Sequence, residues 1–312
     1  MVVTSSARES ISKVSPLLRF SVLCAISLVI WWGPLTSLFT LALHDDRYTH
    51  ILLIVPVSIT LIYLEWKSSE TPLGSPSRPG LVFLFAAVAA TVVARLQILP
   101  LRNNERLSLN MLALVIWWIG AFILSFGIRA FRRALFPLCF LFWMVPIPDF
   151  VLNPIVKLLQ ESSAASARLL FAIAGVPVTN EGTFITVPGL TVEVARECSS
   201  IRSSLMLVVT TLVLAQMLLH SIWRKALVIA VAIPISVAKN GLRIFVLAML
   251  ATRVDRSFMT GRLHHQGGII YFLIALAVIL VLIWILRRSE EKSGVSMKTE
   301  DNLHIPRQPA PH

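Results

Sequence analysis

Charged residues are scarce in this 312-residue chain. Only 14% of the residues are Asp, Glu, Lys or Arg, whereas 56% are hydrophobic and the mean hydropathy is +0.79. Soluble domains carry about 25% charged residues. This shortage of charge excludes an ordinary soluble protein, and we predict a membrane protein with several spanning segments.

Acidic residues are the rarer charged class. Asp and Glu number 16 against 28 Lys and Arg, and the formal net charge is +12. In a soluble protein this excess would favour a nucleic-acid partner. In a membrane protein it reflects basic residues in the cytoplasmic loops. The sequence contains no RNA- or DNA-binding motif, so we expect the lipid bilayer as a partner and no nucleic acid.

Cysteine is also rare, with three residues and no CxxC pair that would suggest zinc. Cys24 and Cys139 lie inside apolar runs and are expected to be packing residues. Only Cys198 lies at a polar boundary. The chain has no HExxH or comparable fixed spacing, so we predict no metal and no cofactor.

Long apolar runs fill most of the chain, and a spanning helix needs about 20 such residues. We predict a bend near Gly33-Pro34 in the first run and an interruption at Pro146 and Pro148 in the fifth. We expect a cytoplasmic tail over 1–16, one transmembrane domain over 17–288 and a disordered cytoplasmic tail over 289–312. The eight predicted spans cover residues 17–43, 51–66, 81–99, 107–128, 134–152, 198–219, 226–250 and 267–286.

The segment between the fifth and sixth spans has a different character. Residues 153–175 combine an apolar face with interrupting polar residues, which is typical of an amphipathic helix at the membrane interface. Residues 176–197 are rich in β-branched residues and turn signals, which predict a small β-hairpin. A hairpin with unpaired edges belongs outside the lipid. The predicted fold class is therefore an all-α polytopic membrane protein with an interfacial helix and a small extracytoplasmic β-hairpin.

Basic loops set the predicted orientation. With a cytoplasmic N-terminus, the loops 67–80, 129–133 and 220–225 and the C-terminal segment from 287 are cytoplasmic, and their basic residues satisfy the positive-inside rule. They include Lys67, Arg78, Arg129, Arg132, Arg133, Arg224, Lys225, Arg287, Arg288 and Lys292. Arg253, Arg256 and Arg262 fall in an outer loop and oppose this orientation. The orientation also requires that 153–175 does not span; otherwise Cys198 would lie on the cytoplasmic side.

This topology places three residues that are distant in sequence at the same depth on the outer side of the membrane. Cys198 opens the sixth span, Arg243 lies about 26 Å along the seventh, and His264 precedes the eighth. A thiol with a pKa of about 8.5 needs a neighbouring cation or imidazole to become a thiolate. Histidine can act as base and then protonate a leaving amine, and arginine can stabilise an oxyanion. The set therefore suits nucleophilic attack on a carbonyl group.

Several segments carry a family resemblance. In chain order they are DDRYTHILLIVP (Asp45–Pro56), FPLCFLFWMVPIP (Phe136–Pro148), GVPVTNEGTFITVPGLTVEVARECSSIRSS (Gly175–Ser204), AKNGLRI (Ala238–Ile244) and HHQGGIIYF (His264–Phe272). Over roughly 17–288 the chain resembles the exosortase/archaeosortase family of membrane cysteine transpeptidase-proteases. Two positions depart from the pattern: Ser200 and Ile51 stand where the family commonly has glycine.

The resemblance implies roles for the three residues. Cys198 is the expected nucleophile, Arg243 the oxyanion or substrate-positioning residue, and His264 the acid/base. His265 is the alternative acid/base, and the spacing to Gly268 favours His264.

Three further residues are supporting or substrate-binding candidates. Asn240 lies three residues before Arg243, on roughly the same helix face, and is expected to orient it. Arg202, one turn after Cys198, is expected to tune the thiol pKa. His50 is expected at the outer face, where it would line the same cavity.

The family's function is the processing of exported proteins. The resemblance implies cleavage at a C-terminal sorting signal, which combines a motif such as Pro-Glu-Pro, a transmembrane helix and a basic cluster. The implied reaction forms a thioester, which water or an amine then cleaves. The implied location is the bacterial inner membrane, with the site facing the periplasm. The sequence leaves open the acceptor and the oligomeric state.

Two other classes of protein remain as alternatives. One is a polytopic transporter, in which intramembrane charge would mark the transport path. The other is a metal-dependent membrane hydrolase that would draw its ligands from polar residues predicted at the outer face. Those residues are His44, Asp45, Asp46, His50, His264 and His265.

Overall fold

The computed structural model describes residues 15–67, 77–96, 98–182, 184–193, 200–254 and 268–303. The chain divides into two compact units, Met1–Asn153 and Pro154–His312. The predicted single transmembrane domain over 17–288 stays a prediction. The first unit contains α1 (Pro16–Ile30), α2 (Trp32–His44), α3 (Ile51–Lys67), α4 (Pro79–Arg95), α5 (Asn103–Arg133), α6 (Leu135–Phe140) and the start of α7 (Asp149–Ile173).

The first predicted span is bent, as expected, but the bend precedes the predicted position. Helices α1 and α2 meet at Trp31 at an angle of 75°. The break falls before Gly33-Pro34 because proline lacks an amide hydrogen and is tolerated in the first turn of a helix. Pro34 therefore lies in the first turn of α2. The indole of Trp118 on α5 donates to Ser27 Oγ at 3.0 Å, which ties α1 to α5.

Helices α4 and α5 pack at very short distance through two glycines. A Cβ on Gly80 would lie 2.6 Å from the backbone nitrogen of Leu124, and one on Gly120 would lie 2.8 Å from Phe83 Cβ. Small residues at such a contact let two membrane helices approach closely. Further along α5, Gly127 has φ 86°, a left-handed conformation that produces a kink in the helix.

The described residues of the second unit form most of α7, a three-stranded antiparallel sheet and three long helices. The elements are β1 (Thr179–Glu181), β2 (Phe184–Val187), β3 (Leu190–Glu193), α8 (Ser200–Leu218), α9 (Ile222–Arg253) and α10 (Gly268–Leu303). Two strands were predicted; the third arises because the chain turns at Gly182, where φ is 63°. The turn at Gly189 joins β2 to β3. Ile185 and Val187 of β2 are buried against α7 and α9.

Helices α8, α9 and α10 share one apolar core. Its buried members include Leu207 on α8, Val228 and Ala232 on α9, and Ala275 and Ile279 on α10. The outer side of α10 carries large exposed apolar residues, including Leu273 and Trp284. Such a surface suits contact with lipid.

The predicted total of eight spans is not confirmed. Within the described ranges, three helices are long and apolar enough to cross a membrane: α5, α9 and the Gly268–Lys292 part of α10. The number rises to five if α1 with α2, and 135–144 with α7, each form one bent span. The second pair bends by 89°, at the place where Pro146 and Pro148 interrupt the fifth predicted run. The apolar helices identify a membrane protein.

The first part of the predicted C-terminal tail is helical, while the predicted disorder of the tail over 289–312 stays a prediction. Helix α10 continues to Leu303, well beyond Arg288. Glu290 accepts hydrogen bonds from the backbone nitrogens of His220 (3.1 Å) and Ser221 (2.8 Å). It also lies 3.6 Å from Arg224 Nη1. These contacts hold the first turns of the extension against the start of α9.

Candidate functional site

A polar face on α9 lies at the centre of the candidate site. Ser236, Lys239, Asn240 and Arg243 are all buried, and Arg243 is only 7% exposed. With about 100° per residue, the spacing places these four residues within one narrow sector of the helix. Buried cations in a membrane helix are costly and mark functional sites. This polar face of α9 is therefore the centre of the candidate site.

The opposite face of α9 is packed against α7. A Cβ on Gly241 would lie 2.6 Å from Ser166 Cβ and 3.0 Å from the backbone nitrogen of Ala167. Gly241 precedes Arg243 by two residues, and hence about 200° around the helix. The close approach of α7 and α9 thus turns the polar face away from α7.

The polar face is joined to the first turns of α8 by two side-chain hydrogen bonds. Lys239 Nζ donates to Ser203 Oγ at 2.6 Å, and Ser236 Oγ donates to Ser204 Oγ at 2.6 Å. The two serines follow Cys198 by five and six residues. The segment that follows the predicted nucleophile in the chain is therefore hydrogen-bonded to α9 near Arg243.

Arg243 also lies against the first residue of α10. Its Nη1 atom is 3.7 Å from the position that a Cβ on Gly268 would occupy. Gly268 follows His264 by four residues. The guanidinium interacts electrostatically with Lys239 and with Tyr271 of α10. Arg243 is thus the point at which α9 and the start of α10 come together.

The two supporting candidates near this face differ in burial. Asn240 is 3% exposed, and its Nδ2 has no hydrogen-bond partner among the described residues. A buried amide without a partner costs about 1–3 kcal/mol, so a ligand or a residue outside the described part that accepted this hydrogen would stabilise the site. Arg202 is exposed, and its predicted effect on the Cys198 thiol stays a prediction.

His50 belongs to the first unit and Arg243 to the second. The His50 ring is buried and hydrogen-bonds the backbone of Arg47 and Trp143. Burial lowers the pKa of His50 below its usual value, and the backbone hydrogen bonds partly oppose this shift. The predicted placement of His50 in a shared cavity stays a prediction.

Three predicted residues lie outside the described part of the chain: Cys198, His264 and His265. Their roles therefore remain predictions. The structure describes the segments on both sides of them, and two of these segments, the start of α8 and the start of α10, contact the polar face of α9.

Lys239 and its serine partners were not predicted from the sequence. Lys239 lies inside the apolar run predicted as the seventh span, and a lysine at such a position is as unusual as Arg243. Its spacing of four residues from Arg243 places both on one helix face. That signal was available in the sequence, whereas the pairing with Ser203 depends on how α8 and α9 pack.

Among the residues that the structure describes, no cluster of side chains supports the alternative of a metal-dependent hydrolase. No group of three or more His, Cys, Asp or Glu side chains is arranged there to hold an ion. His264 and His265 are not among those residues. The Asp45 carboxylate instead accepts hydrogen bonds from the Arg47 guanidinium at 2.6–3.0 Å. Burial raises the Asp45 pKa, but the bonds from Arg47 outweigh it and the net pKa lies below its usual value.

Of three comparisons with known proteins, one gives a match. No curated protein and no solved structure matches the chain significantly. The model of one protein family, described as transmembrane exosortase, matches residues 31–281. The matched range covers most of the chain, including the polar face of α9 and the whole of α8. This membrane protein therefore belongs to the transmembrane exosortase family.

Proposed function

We propose that this protein is a membrane-embedded cysteine protease or transpeptidase that cleaves the C-terminal sorting signal of exported proteins. Family membership supports sorting-signal processing in general. The further details are our proposal: a signal with a Pro-Glu-Pro type motif, a transmembrane helix and a basic cluster, and a site that faces the periplasm from the bacterial inner membrane.

One observation carries the proposal for the site. The chain segments that leave Cys198 and His264 both reach the same face of α9. The first does so through Ser203 on Lys239, and the second through Gly268 beside Arg243. This convergence supports a shared site for three residues that are distant in sequence.

The proposed chemistry follows from the three side chains. The Cys198 thiolate attacks the carbonyl carbon of the scissile peptide bond, and a C–S bond forms. Arg243 stabilises the negative charge on the carbonyl oxygen. The C–N bond then breaks as His264 donates a proton to the leaving nitrogen, which leaves a thioester. Water or an amine attacks the thioester, gives a proton to His264, and releases the Cys198 sulfur.

Replacement of the nucleophile tests the proposal. Cells would produce the Cys198→Ala variant together with a protein that ends in a sorting signal, and processing would be followed from the substrate's size. We expect processing to stop. Cys139→Ala is the matched control, since Cys139 is a second cysteine on another helix, and it should retain processing. Unchanged processing by Cys198→Ala would refute the proposal.

The predicted location of Cys198 on the outer side of the membrane needs a separate test. In a variant with Cys24 and Cys139 replaced, Cys198 is the only remaining thiol. A membrane-impermeant thiol reagent added to intact spheroplasts should label it. Labelling only after the membrane is opened would place Cys198 on the cytoplasmic side and contradict the proposed orientation.

A further inference from the structure

A buried positive charge on α9 has no negative partner among the described residues. Lys239 is 7% exposed, and its Nζ donates to the neutral hydroxyl of Ser203 at 2.6 Å. Across the described ranges, no carboxylate oxygen lies within 4.0 Å of this nitrogen. The charged group that acts on Lys239 is a second cation, Arg243. Because buried charges are normally paired with an opposite charge, Lys239 is unusual.

The same helix supplies a counter-charge for a buried cation elsewhere. Arg224, at the start of α9, lies 3.6 Å from the Glu290 carboxylate of α10. The fold thus pairs this cation within the chain, whereas the Lys239 charge faces a hydroxyl. Charged side chains inside a membrane protein that are kept in this way mark the path of a substrate or an ion. Lys239 therefore suits an anionic group that a ligand brings.

Lys239 has hydrogens left for such an anion. An ammonium group carries three, and Ser203 accepts one of them. Ser203 and Gly268 are partly exposed, and Arg202 is exposed. An exposed arginine belongs at the water boundary rather than in lipid. The polar face of α9 is therefore approached from water, past the starts of α8 and α10.

We propose that Lys239 binds a carboxylate side chain of the substrate and thereby selects the peptide that is processed. An ammonium group binds a carboxylate more strongly than it binds a neutral acceptor. Arg243 lies one turn further along α9, which is about 6 Å. An extended peptide advances about 3.3 Å per residue. The carboxylate would therefore lie within about two residues of the carbonyl group that Arg243 is proposed to bind.

The identity of the acidic residue rests on the proposed function. In a sorting signal of the Pro-Glu-Pro type, the glutamate carries the carboxylate, and its two proline neighbours have no charged side chain. The substrate's terminal carboxylate follows its membrane helix and would lie on the opposite side of the membrane. A lipid phosphate is also an anion, and substrate variants together with mass spectrometry separate it from the glutamate.

The first test compares two substrates that differ in one charged group. One carries Pro-Glu-Pro, and the other carries Pro-Gln-Pro, which has a similar size and no charge. Each would be co-produced with the parent protein or with Lys239→Gln, and the processed fraction would be followed over time. We expect the parent to process the glutamate substrate at least about tenfold faster. Lys239→Gln should process both substrates at the same low rate.

A lysine elsewhere on α9 provides the matched control. Lys225 lies near the start of the helix and donates to Gln216 Oε1 at 2.8 Å. Lys225→Gln removes one positive charge from the same helix and should keep the parent's preference for glutamate. If Lys239→Gln does not accumulate, Lys239→Met removes the same charge and should also lose the preference.

The ratio of the two processing rates separates carboxylate binding from a structural role. If Lys239 only holds Ser203, its replacement lowers both rates equally and leaves the ratio unchanged, which would overturn the proposal. Equal processing of both substrates by the parent protein would overturn it as well, and that comparison needs no variant.

Binding without turnover supplies the second test. The Cys198→Ala protein should retain the glutamate substrate on purification in detergent, and should retain about tenfold less of the glutamine substrate. The added Lys239→Gln change should abolish this difference. Equal retention of both substrates by Cys198→Ala would overturn the carboxylate site. Native mass spectrometry that finds an anionic phospholipid lost with Lys239→Gln, together with that equal retention, would assign Lys239 to a lipid phosphate instead.

The outcomes also separate this proposal from the proposed function. Loss of the glutamate preference with processing still dependent on Cys198 would overturn the role of Lys239 and leave the cysteine chemistry intact. Normal processing by Cys198→Ala would refute the cysteine mechanism, while a glutamate preference that depends on Lys239 would still support the carboxylate site.

Discussion

Lys239 Nζ lies 2.6 Å from Ser203 Oγ. A buried lysine in a membrane helix thus uses one of its three hydrogens to hold the start of the neighbouring helix. Because Ser203 follows Cys198 by five residues, this bond restrains the chain next to the predicted nucleophile. A restraint at this place matters for catalysis, since small displacements of reacting groups reduce rates strongly.

Replacement of Lys239 should therefore impair processing. Lys239→Met keeps the length of the side chain but removes the hydrogen bond, and we expect sorting-signal processing to fall about tenfold. Lys225→Met is the control: Lys225 lies near the start of the same helix and donates to Gln216 Oε1 at 2.8 Å. The control should process normally. Equal processing by both variants would show that the Lys239 bond is structural only.

The contact between Arg243 and Gly268 predicts a dependence on size at position 268. A methyl group there would meet Arg243 Nη1 at 3.7 Å, an ordinary contact. Gly268→Ala should therefore retain most processing, whereas Gly268→Leu should displace the guanidinium and lower processing by about 100-fold. Processing and membrane abundance would be measured together. Similar activity of the two variants would exclude a role for this contact.

Glu290 should stabilise the protein more than its neighbour Glu291. The side chains of Glu290 and Arg224 are only 12% and 10% exposed. Glu290→Gln would leave a buried guanidinium without its counter-charge, at a cost of about 3–5 kcal/mol. Glu291 and Arg287 form a pair with exposures of 63% and 54%, and Glu291→Gln should cost less than about 1 kcal/mol. Thermal unfolding in detergent would compare the two variants; equal melting temperatures would contradict the assignment.

The burial of His50 predicts that the folded protein loses stability in acid. Burial lowers its pKa in the folded protein, whereas the unfolded value is about 6.5. The unfolded state therefore binds more protons between these two values, so stability falls as pH decreases from about 6.5 towards the folded pKa. His50→Gln should reduce the slope of melting temperature against pH in this range. An unchanged slope would mean that His50 contributes nothing to it.

Hydropathy and local turn signals were sufficient to predict most helix positions. The runs predicted at 51–66 and 226–250 correspond to α3 and α9 within a few residues. Burial of Arg243 also follows from its place in an apolar run. These features depend on local composition, which the sequence states directly.

The unpredicted features depend on packing between segments. The fifth predicted span is a short helix, a 3₁₀ turn and a sharp bend, because its prolines interrupt the helix. In the extension of α10, Glu290 meets Arg224, which lies 66 residues earlier in the chain. The bond between Lys239 and Ser203 likewise requires α8 and α9 to lie side by side. Single-segment patterns carry no information on these contacts.

The packing of Gly241 against Ser166 has a consequence for rotation of the helix. Since α7 leaves no room for a side chain at Gly241, α9 cannot turn about its own axis without a clash. The direction of Arg243 is therefore set by a contact on the far side of its helix. Insertion of one alanine between Gly241 and Arg243 would swing the guanidinium by about 100° away from Gly268 while the helix itself remained intact.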